Sequence, residues 1–125
     1  MATGEIKQNV DVYGSNTNGN YCKMLNGTLI CWGKITISVS GEMSQVGNTG
    51  IYTSPAIYIN FPVTFMGDSN YIVTGVSRYS TGNTLPIGTI PSTNSKFGAV
   101  VYDFYKRSLN DGTYILRWQA VGRWK

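Results

Sequence analysis

The sequence predicts an all-β protein, an antiparallel β-sandwich of six or seven strands or a related barrel. Apolar and polar residues alternate with a period of two in several segments, which is typical of strands with one buried face. Gly-rich and Asn-rich turn signals separate these segments at short intervals. No window of useful length has the spacing of an amphipathic helix, so the helical and mixed fold classes are excluded.

The strongest strand signal lies in the last dozen residues. One face of this predicted strand is large and apolar, and it consists of Tyr114, Leu116, Trp118 and Ala120. Chain ends usually fray, and two tryptophans are rarely spent on a frayed tail, so this end is predicted to be tied into a sheet. The opposite face mixes charge, amide and aliphatic groups, which is too apolar for free solvent and too polar for a core. That composition favours a hydrated protein–protein contact.

A hairpin is predicted between residues 21 and 33. Asn26-Gly27 is a strong signal for a two-residue turn, because both central residues of a type I′ turn need positive φ. Such a turn pairs Leu25 with Thr28 and places Cys22 directly opposite Cys31. Two alternatives follow: a disulfide, or two small buried side chains that lie next to each other. The second is favoured, because a single cysteine pair does not make a disulfide scaffold.

Other segments predict shorter strands. Before the hairpin, residues 1–15 form a marginal strand or an extended lead-in. After it, apolar segments at 51–65, 71–76 and 97–105 predict further strands. The stretch 78–96 carries several Gly and Pro residues and is predicted as a long irregular loop, which in a compact domain is usually functional or mobile.

Composition excludes several functions. The 125 residues make one domain, and the net charge of +4 comes from basic residues scattered along the chain, with Lys106-Arg107 the one adjacent pair. No basic stripe follows a nucleic acid backbone, and no apolar stretch is long enough to span a bilayer. Histidine is absent and only two cysteines are present, so no metal or other cofactor is expected.

Enzymatic activity is not expected either. A glycosidase needs two carboxylates that flank the scissile bond. The chain has six acids, and they are Glu5, Asp11, Glu42, Asp68, Asp103 and Asp111. Asp68 and Asp111 fall in predicted turns, where such side chains commonly bond local amides. Asp103 is unusual, since it lies between two aromatics in a strand, yet an ordinary ion-pair or edge role is favoured over catalysis.

Five blocks of sequence resemble a known family. They are Tyr21-Cys22-Lys23, the block from Asn26 to Gly33, Phe61-Pro62-Val63-Thr64-Phe65, Tyr71-Ile72-Val73 and the C-terminal block from Trp118 to Lys125. In order and spacing they resemble the C-terminal domain of bacteriophage tail-fibre and baseplate proteins, which is similar to the H-type lectins in fold. The resemblance covers residues 19–125. It implies a receptor-binding head there, with residues 1–18 as a lead-in or linker from a fibre shaft.

The resemblance also implies a function. It predicts a homotrimer at the tail tip of a virion, attached to the remainder of a fibre or baseplate. This head binds host-cell surface polysaccharide, without membrane insertion and without catalytic residues. The mixed face of the last strand then becomes the trimer interface, formed by Arg117, Gln119, Val121 and Arg123. Two alternatives are a trimerisation cap that binds nothing itself, and a carbohydrate-binding module from a larger hydrolase.

Sugar-binding candidates follow from residue chemistry. Sugar rings stack on aromatic side chains, and hydroxyl pairs suit amides and guanidinium groups. The chain has nine tyrosines, many asparagines and few long charged side chains. The candidates outside the strand interiors are Tyr52, Arg78, Tyr79, Asn83 and Asn94, although an ordinary surface or packing role competes at each. The three tryptophans sit in strand patterns and are predicted to be core or subunit-contact residues.

Overall fold

The computed structural model describes residues 10–38, 43–68, 70–79, 84–104, 106 and 113–125. These residues form ten strands and, within that part of the chain, no helix. The strands are β1 (Val10–Asn16), β2 (Gly19–Met24), β3 (Thr28–Ser38), β4 (Ser44–Gln45), β5 (Tyr52–Thr53), β6 (Ile57–Asn60), β7 (Tyr71–Tyr79), β8 (Thr84–Pro91), β9 (Lys96–Asp103) and β10 (Thr113–Arg123).

All strand pairs are antiparallel, in the order β1-β2-β3-β10-β7-β8-β9-β5-β4, with β6 also paired to β9. The two ends of this order, β1 and β4, are not paired with each other. The predicted all-β antiparallel fold is confirmed. The predicted count of six or seven strands is wrong, because the two-residue strands β4 and β5 leave no periodic signal and β8 lies in a stretch that was predicted as a loop.

The C-terminal strand lies in the middle of the sheet. β10 pairs with β3 on one side and with β7 on the other along most of its length. Tyr114, Leu116, Trp118 and Ala120 are all buried, with exposed fractions of 4% or less. The prediction that the chain end is tied into a sheet by one apolar face is confirmed.

The aromatic core shows that the sheet doubles back on itself. β9 and β10 are not neighbours in the sheet, yet the rings of Phe97 and Trp118 lie 5.2 Å apart. Phe61, which follows β6, lies between them and contacts the ring of Trp118 at 5.8 Å and that of Phe97 at 5.3 Å. Strands β6 and β9 therefore pack against the buried face of β10.

The hairpin register differs from the prediction by one residue. The turn is a three-residue loop, in which Gly27 N–H donates to Met24 C=O at 3.0 Å and Gly27 has φ +97°. Cys31 consequently pairs with Tyr21, and Cys22 pairs with Ile30. Because successive residues of a strand point to opposite faces, this slip places the two cysteines on opposite sides of the sheet. The predicted pairing of Cys22 with Cys31 is wrong, and both are free, buried thiols.

The predicted loop at 78–96 is mostly strand. β7 continues to Tyr79, and β8 occupies Thr84–Pro91 in spite of its two prolines. Residues 84–86 of β8 pair with β7, whereas residues 87–91 pair with β9. Each half of β8 therefore pairs with a neighbouring strand on one side only. Pro86 and Pro91, which lack a backbone N–H, are tolerated because β8 does not need hydrogen bonds on both sides at these positions.

The N-terminal segment belongs to the sheet from Val10 onward. β1 pairs with β2 from Val10 to Asn16, although its predicted strand signal was marginal. The division into a lead-in at 1–18 and a head at 19–125 stays a prediction. Residues 1–9 and the predicted candidate Asn83 lie outside the described residues.

Candidate functional site

One continuous surface is formed by the outward side chains of β3, β10 and β7, called here the outer face. The strand register sets its rows: Ile30, Val121 and Ile72 lie next to one another, as do Trp32, Gln119 and Thr74. The next two rows are Lys34, Arg117, Val76 and then Thr36, Ile115, Arg78. Three of the four predicted trimer-interface residues, Arg117, Gln119 and Val121, therefore occupy the middle of this face.

The outer face is apolar at one end and cationic towards the other. Ile72 is 73% exposed and Trp32 is 38% exposed, and Val121 and Val76 are also open to solvent. Lys34, Arg117 and Arg78 carry positive charge, and none of the outward positions of these three strands described here is an acid. A single chain thus leaves large apolar side chains and basic side chains together on one solvent-facing surface, which is typical of an interaction site.

Arg123, the fourth predicted interface residue, has an intrachain role. Its guanidinium donates to Asn26 C=O at 2.8 Å and to Lys125 C=O at 3.2 Å. The adjacent Trp124 donates from Nε1 to Met24 C=O at 2.8 Å and from its backbone N–H to Gly27 C=O at 2.9 Å. The C-terminus is therefore fastened to the β2–β3 hairpin, and Arg123 serves that contact.

The structure does not gather the predicted sugar ligands into one place. Tyr52 pairs with Asp103 at the end of β9, whereas Asn94 precedes the start of that strand. An eight-residue strand separates the two by roughly 23 Å. Arg78 lies on the outer face near Ile115, and the backbone of Tyr79 pairs with Tyr114. Asn94 takes part in a turn, where its N–H donates to Asp68 Oδ1 at 2.8 Å.

Two cavities adjoin β3. A groove of about 600 Å³ on the outer face is lined by Asn20, Trp32, Lys34, Arg117 and Gln119, among others. A smaller one, about 150 Å³ and called here the edge cavity, lies between the β1–β2 turn and β6. The edge cavity was not predicted, because its residues come from four separate segments that only the fold brings together.

An apolar cavity of about 260 Å³ lies at the Tyr52 end of the molecule. Val46, Ile51, Pro86, Tyr102 and Phe104 line it together with Asp103. The Asp103 carboxylate is engaged, since it accepts from its neighbour Phe104 N–H at 2.7 Å and from Tyr114 Oη at 3.3 Å. Asp103 is thus a buried residue bonded to a backbone N–H and a tyrosine hydroxyl, and the ion-pair or edge role favoured for it stays a prediction.

Groups for metal or covalent chemistry are not assembled in the described part of the chain. It contains no cluster of three potential metal ligands, and none of its segments is a helix long and apolar enough to cross a membrane. Burial raises the pKa of the Cys31 thiol from 9.0 to about 12, and a hydrogen bond with the Val63 backbone offsets part of that rise. Cys31 is therefore a protonated core residue at neutral pH.

Comparisons with known proteins identify the fold. No protein-family model matches the sequence, and no curated protein matches it. A structure of the P. aeruginosa R1 pyocin fibre, comprising its C-terminal residues, matches over 97% of this chain with a TM-score of 0.55 and 16% identity. An N-truncated R1-type pyocin tail fibre matches over 97% with a TM-score of 0.54 and 16% identity. The corresponding P. aeruginosa R2 fibre matches over 98% with a TM-score of 0.53 and 18% identity.

This chain has the fold of an R-type pyocin fibre's C-terminal region. It spans 30% and 28% of the two longer fibre structures and 93% of the N-truncated one. The similarity therefore covers one end of a longer fibre. At this level of identity it concerns the fold alone.

Proposed function

We propose that this chain is the C-terminal receptor-binding head of a phage or phage-tail-like fibre. In this role it attaches the tail tip to bacterial surface glycans without covalent chemistry. The observation that carries the proposal is the match of nearly the whole chain to pyocin tail-fibre structures. The same proposal includes the expectation that residues 19–125 form a two-layered β-sandwich similar in fold to the H-type lectins.

The head acts as a homotrimer in this proposal. The outer face supports it, because Ile72, Val121 and Trp32 are open to solvent in a single chain and lie next to Arg117 and Lys34. Three copies around an axis would bury the apolar rows, and the cations would need anions, waters or groups of the neighbouring copy. Each sugar site then gains avidity from being present three times on one fibre.

The mass of the purified chain in solution tests the trimer. We expect light scattering after size exclusion to give three times the chain mass. The Ile72→Lys variant should have the mass of a single chain, because the substitution places a charge in the apolar row that the trimer would bury. Phe104→Lys is the matched control, since Phe104 is 66% exposed and follows β9, the strand that packs against the opposite face of β10. A wild-type chain of single mass would refute the trimer.

Competition for adsorption tests receptor binding. Purified chain, added at increasing concentration to a panel of candidate bacteria, should block adsorption of a particle that carries this fibre. Removal of surface polysaccharide from the same cells should abolish binding of the chain. A trimer that binds no cell of a host on which the particle adsorbs would favour the trimerisation cap. A monomer that binds purified polysaccharide would favour a severed carbohydrate-binding module.

A further inference from the structure

We propose that the edge cavity binds one carboxylated sugar unit of the surface glycan, an inference that rests on the adhesive function proposed above. Its polar and aromatic lining comprises Thr17, Asn18, Lys34, Tyr58, Asn60 and Trp118. A volume of about 150 Å³ restricts the occupant to about one sugar unit, with the rest of the glycan outside. None of these six residues belongs to the predicted sugar-binding set.

The walls of the edge cavity are fixed before any ligand arrives. Asn16 donates from its side-chain nitrogen to Pro62 C=O at 2.8 Å, which fastens the β1–β2 turn to the segment after β6. The same side chain accepts from Asn18 N–H at 2.9 Å and so shapes the turn itself. Because both walls are joined directly, little conformational entropy is lost when a ligand enters between them.

The strand edge beneath the cavity leaves backbone groups for a ligand. β2 pairs with β3 only as far as Trp32, so the next residues of β3, including Lys34, have no strand partner on that side among the described residues. The cavity opens at this point. A bound sugar can therefore contact main-chain groups as well as side chains.

The lining supplies more hydrogen-bond donors than acceptors. Trp118 is only 4% exposed, and within the described chain its Nε1–H donates to no acceptor. Among the described residues, Ser77 Oγ is the one fully buried side-chain nitrogen or oxygen atom without a hydrogen-bond partner. Because Trp118 Nε1 also lacks a partner and is not in that class, it is not fully buried. Trp118 lines both the groove on the outer face and the edge cavity, and we infer that its Nε1–H faces the edge cavity. The indole and the Lys34 ammonium group can only donate.

The charge of the lining selects an anionic ligand. Among the described residues that line the cavity none is an acid. Lys34 also lines the groove on the outer face, and its long side chain can turn towards the edge cavity because β3 has no described neighbouring strand on this side beyond Trp32. The amides of Asn18 and Asn60 both donate and accept, which suits sugar hydroxyls. Tyr58 is 57% exposed, and because Lys96 Nζ lies over its ring 5.3 Å from the centroid, it is the opposite face that can take the C–H side of a sugar ring. A uronic-acid-type sugar unit would match this lining. Its carboxylate suits the Lys34 ammonium and the indole N–H, its hydroxyls suit the two amides, and its C–H face suits the tyrosine ring.

NMR titration of the full chain tests this site directly. The probes are the methyl glycosides of glucuronic, galacturonic and mannuronic acid, each paired with its neutral hexose. The three tryptophan indole N–H resonances are assigned with Trp32→Phe and Trp124→Phe, which leave the core residue Trp118 in place. We expect at least one acid to shift the Trp118 indole resonance. It should also bind about tenfold more tightly than its neutral hexose, because the hexose cannot form the charge-assisted hydrogen bond with Lys34.

Variants locate the effect. Lys34→Gln should reduce the preference for the acid to less than about twofold, and Asn60→Asp should abolish binding by adding a negative charge. Lys125→Gln, which removes a cation at the C-terminus, should leave the titration unchanged. An unshifted Trp118 resonance with all three acids would overturn the proposal. Three other results would also overturn it. They are equal affinity for the acid and its neutral hexose, tighter binding of glucose 6-phosphate than of the acids, and a titration that Lys34→Gln leaves unchanged.

Cell binding separates this inference from the proposed function. If Lys34→Gln and Asn60→Asp compete for adsorption as well as the wild type does, the edge cavity is not the receptor site and the adhesive function stands. If the wild-type chain itself fails to bind cells, the adhesive function falls. A failed uronic acid titration with intact cell binding refutes only the edge cavity.

Discussion

The two faces of β10 come from the same eleven residues and behave in opposite ways. The inner face is buried against aromatic rings of β9 and of the segment after β6, with Trp118 at the centre. The outer face keeps Arg117, Gln119 and Val121 open to solvent between strands that also expose Trp32 and Ile72. The inner face is thus completed by contacts within this chain, whereas the outer face stays open to solvent in a single chain. Changes on the inner face should reduce folding stability, and those on the outer face should affect association.

The largest loss of stability is expected for Trp118→Ala. This change removes a nearly fully buried ring that contacts Phe61 and Phe97, and large-to-alanine changes in a core cost about 3–5 kcal/mol. Ile72→Ala on the outer face is the control and should cost about 1 kcal/mol or less in a single chain, because its side chain is already 73% exposed. Urea unfolding monitored by circular dichroism measures both. Similar losses would contradict the division of β10 into two faces.

A smaller loss is expected for Gly33→Ala. Gly33 lies opposite Trp118, and an added Cβ would be 3.0 Å from three atoms of the indole ring. The ring is held by the aromatic core and cannot easily move, so we expect a loss of about 1–3 kcal/mol. Gly50→Ala should change stability by less than about 0.5 kcal/mol, since no atom lies within 4 Å of that Cβ. The same unfolding experiment tests both changes.

The Cys31 thiol predicts a dependence of stability on pH. Its pKa is about 12 in the folded chain and 9.0 as a free thiol, so above pH 9 the unfolded chain releases a proton that the folded chain keeps. Folding stability should be unaffected by this group below pH 9 and should fall between pH 9 and 12. At pH 10 the loss is about 1.4 kcal/mol relative to pH 8. Cys31→Ala is less stable overall, yet it should lack this component, and an identical pH profile would contradict the assignment.

Residue spacing predicted the central strands well and the periphery poorly. Tyr114, Leu116, Trp118 and Ala120 alternate so regularly that both the strand and its buried face follow from the sequence. β8 carries Pro86, Gly88 and Pro91, which normally indicate a loop. A strand can form there because β8 pairs first with β7 and then with β9, on one side at a time. The hairpin register depended on one extra loop residue, and no sequence rule chose between a two-residue and a three-residue turn around Gly27.

The candidate site was less predictable than the fold. Arg117, Gln119 and Val121 share a face because period two requires it, so their grouping follows from sequence alone. Asn18, Lys34 and Asn60 come together only because the β1–β2 turn is fastened beside β6, a contact made through Asn16 and Pro62. Long-range contacts of this kind leave no pattern in a single sequence. For that reason the predicted sugar ligands were chosen by residue type, and the fold separates them.

The smallest expected effect distinguishes two arginines on the same face of β10. Arg123 donates to Asn26 C=O and Lys125 C=O, whereas Arg117 makes no hydrogen bond with a described residue. Arg123→Gln should therefore cost about 1 kcal/mol of unfolding free energy, because it loosens the C-terminus from the hairpin. Arg117→Gln should cost less than about 0.5 kcal/mol in a single chain. Thermal unfolding at several protein concentrations measures both.

The dependence of these two losses on concentration carries the comparison further. The loss at Arg123 arises within one chain, so it should be the same at every protein concentration. A loss at Arg117 that is absent in dilute solution and grows with concentration would mean that its partner lies on another copy. That result would place Arg117 in the trimer interface, as its position in the middle of the outer face predicts. A loss at Arg117 that equals that of Arg123 in dilute solution would instead reveal an intrachain partner and remove Arg117 from the interface.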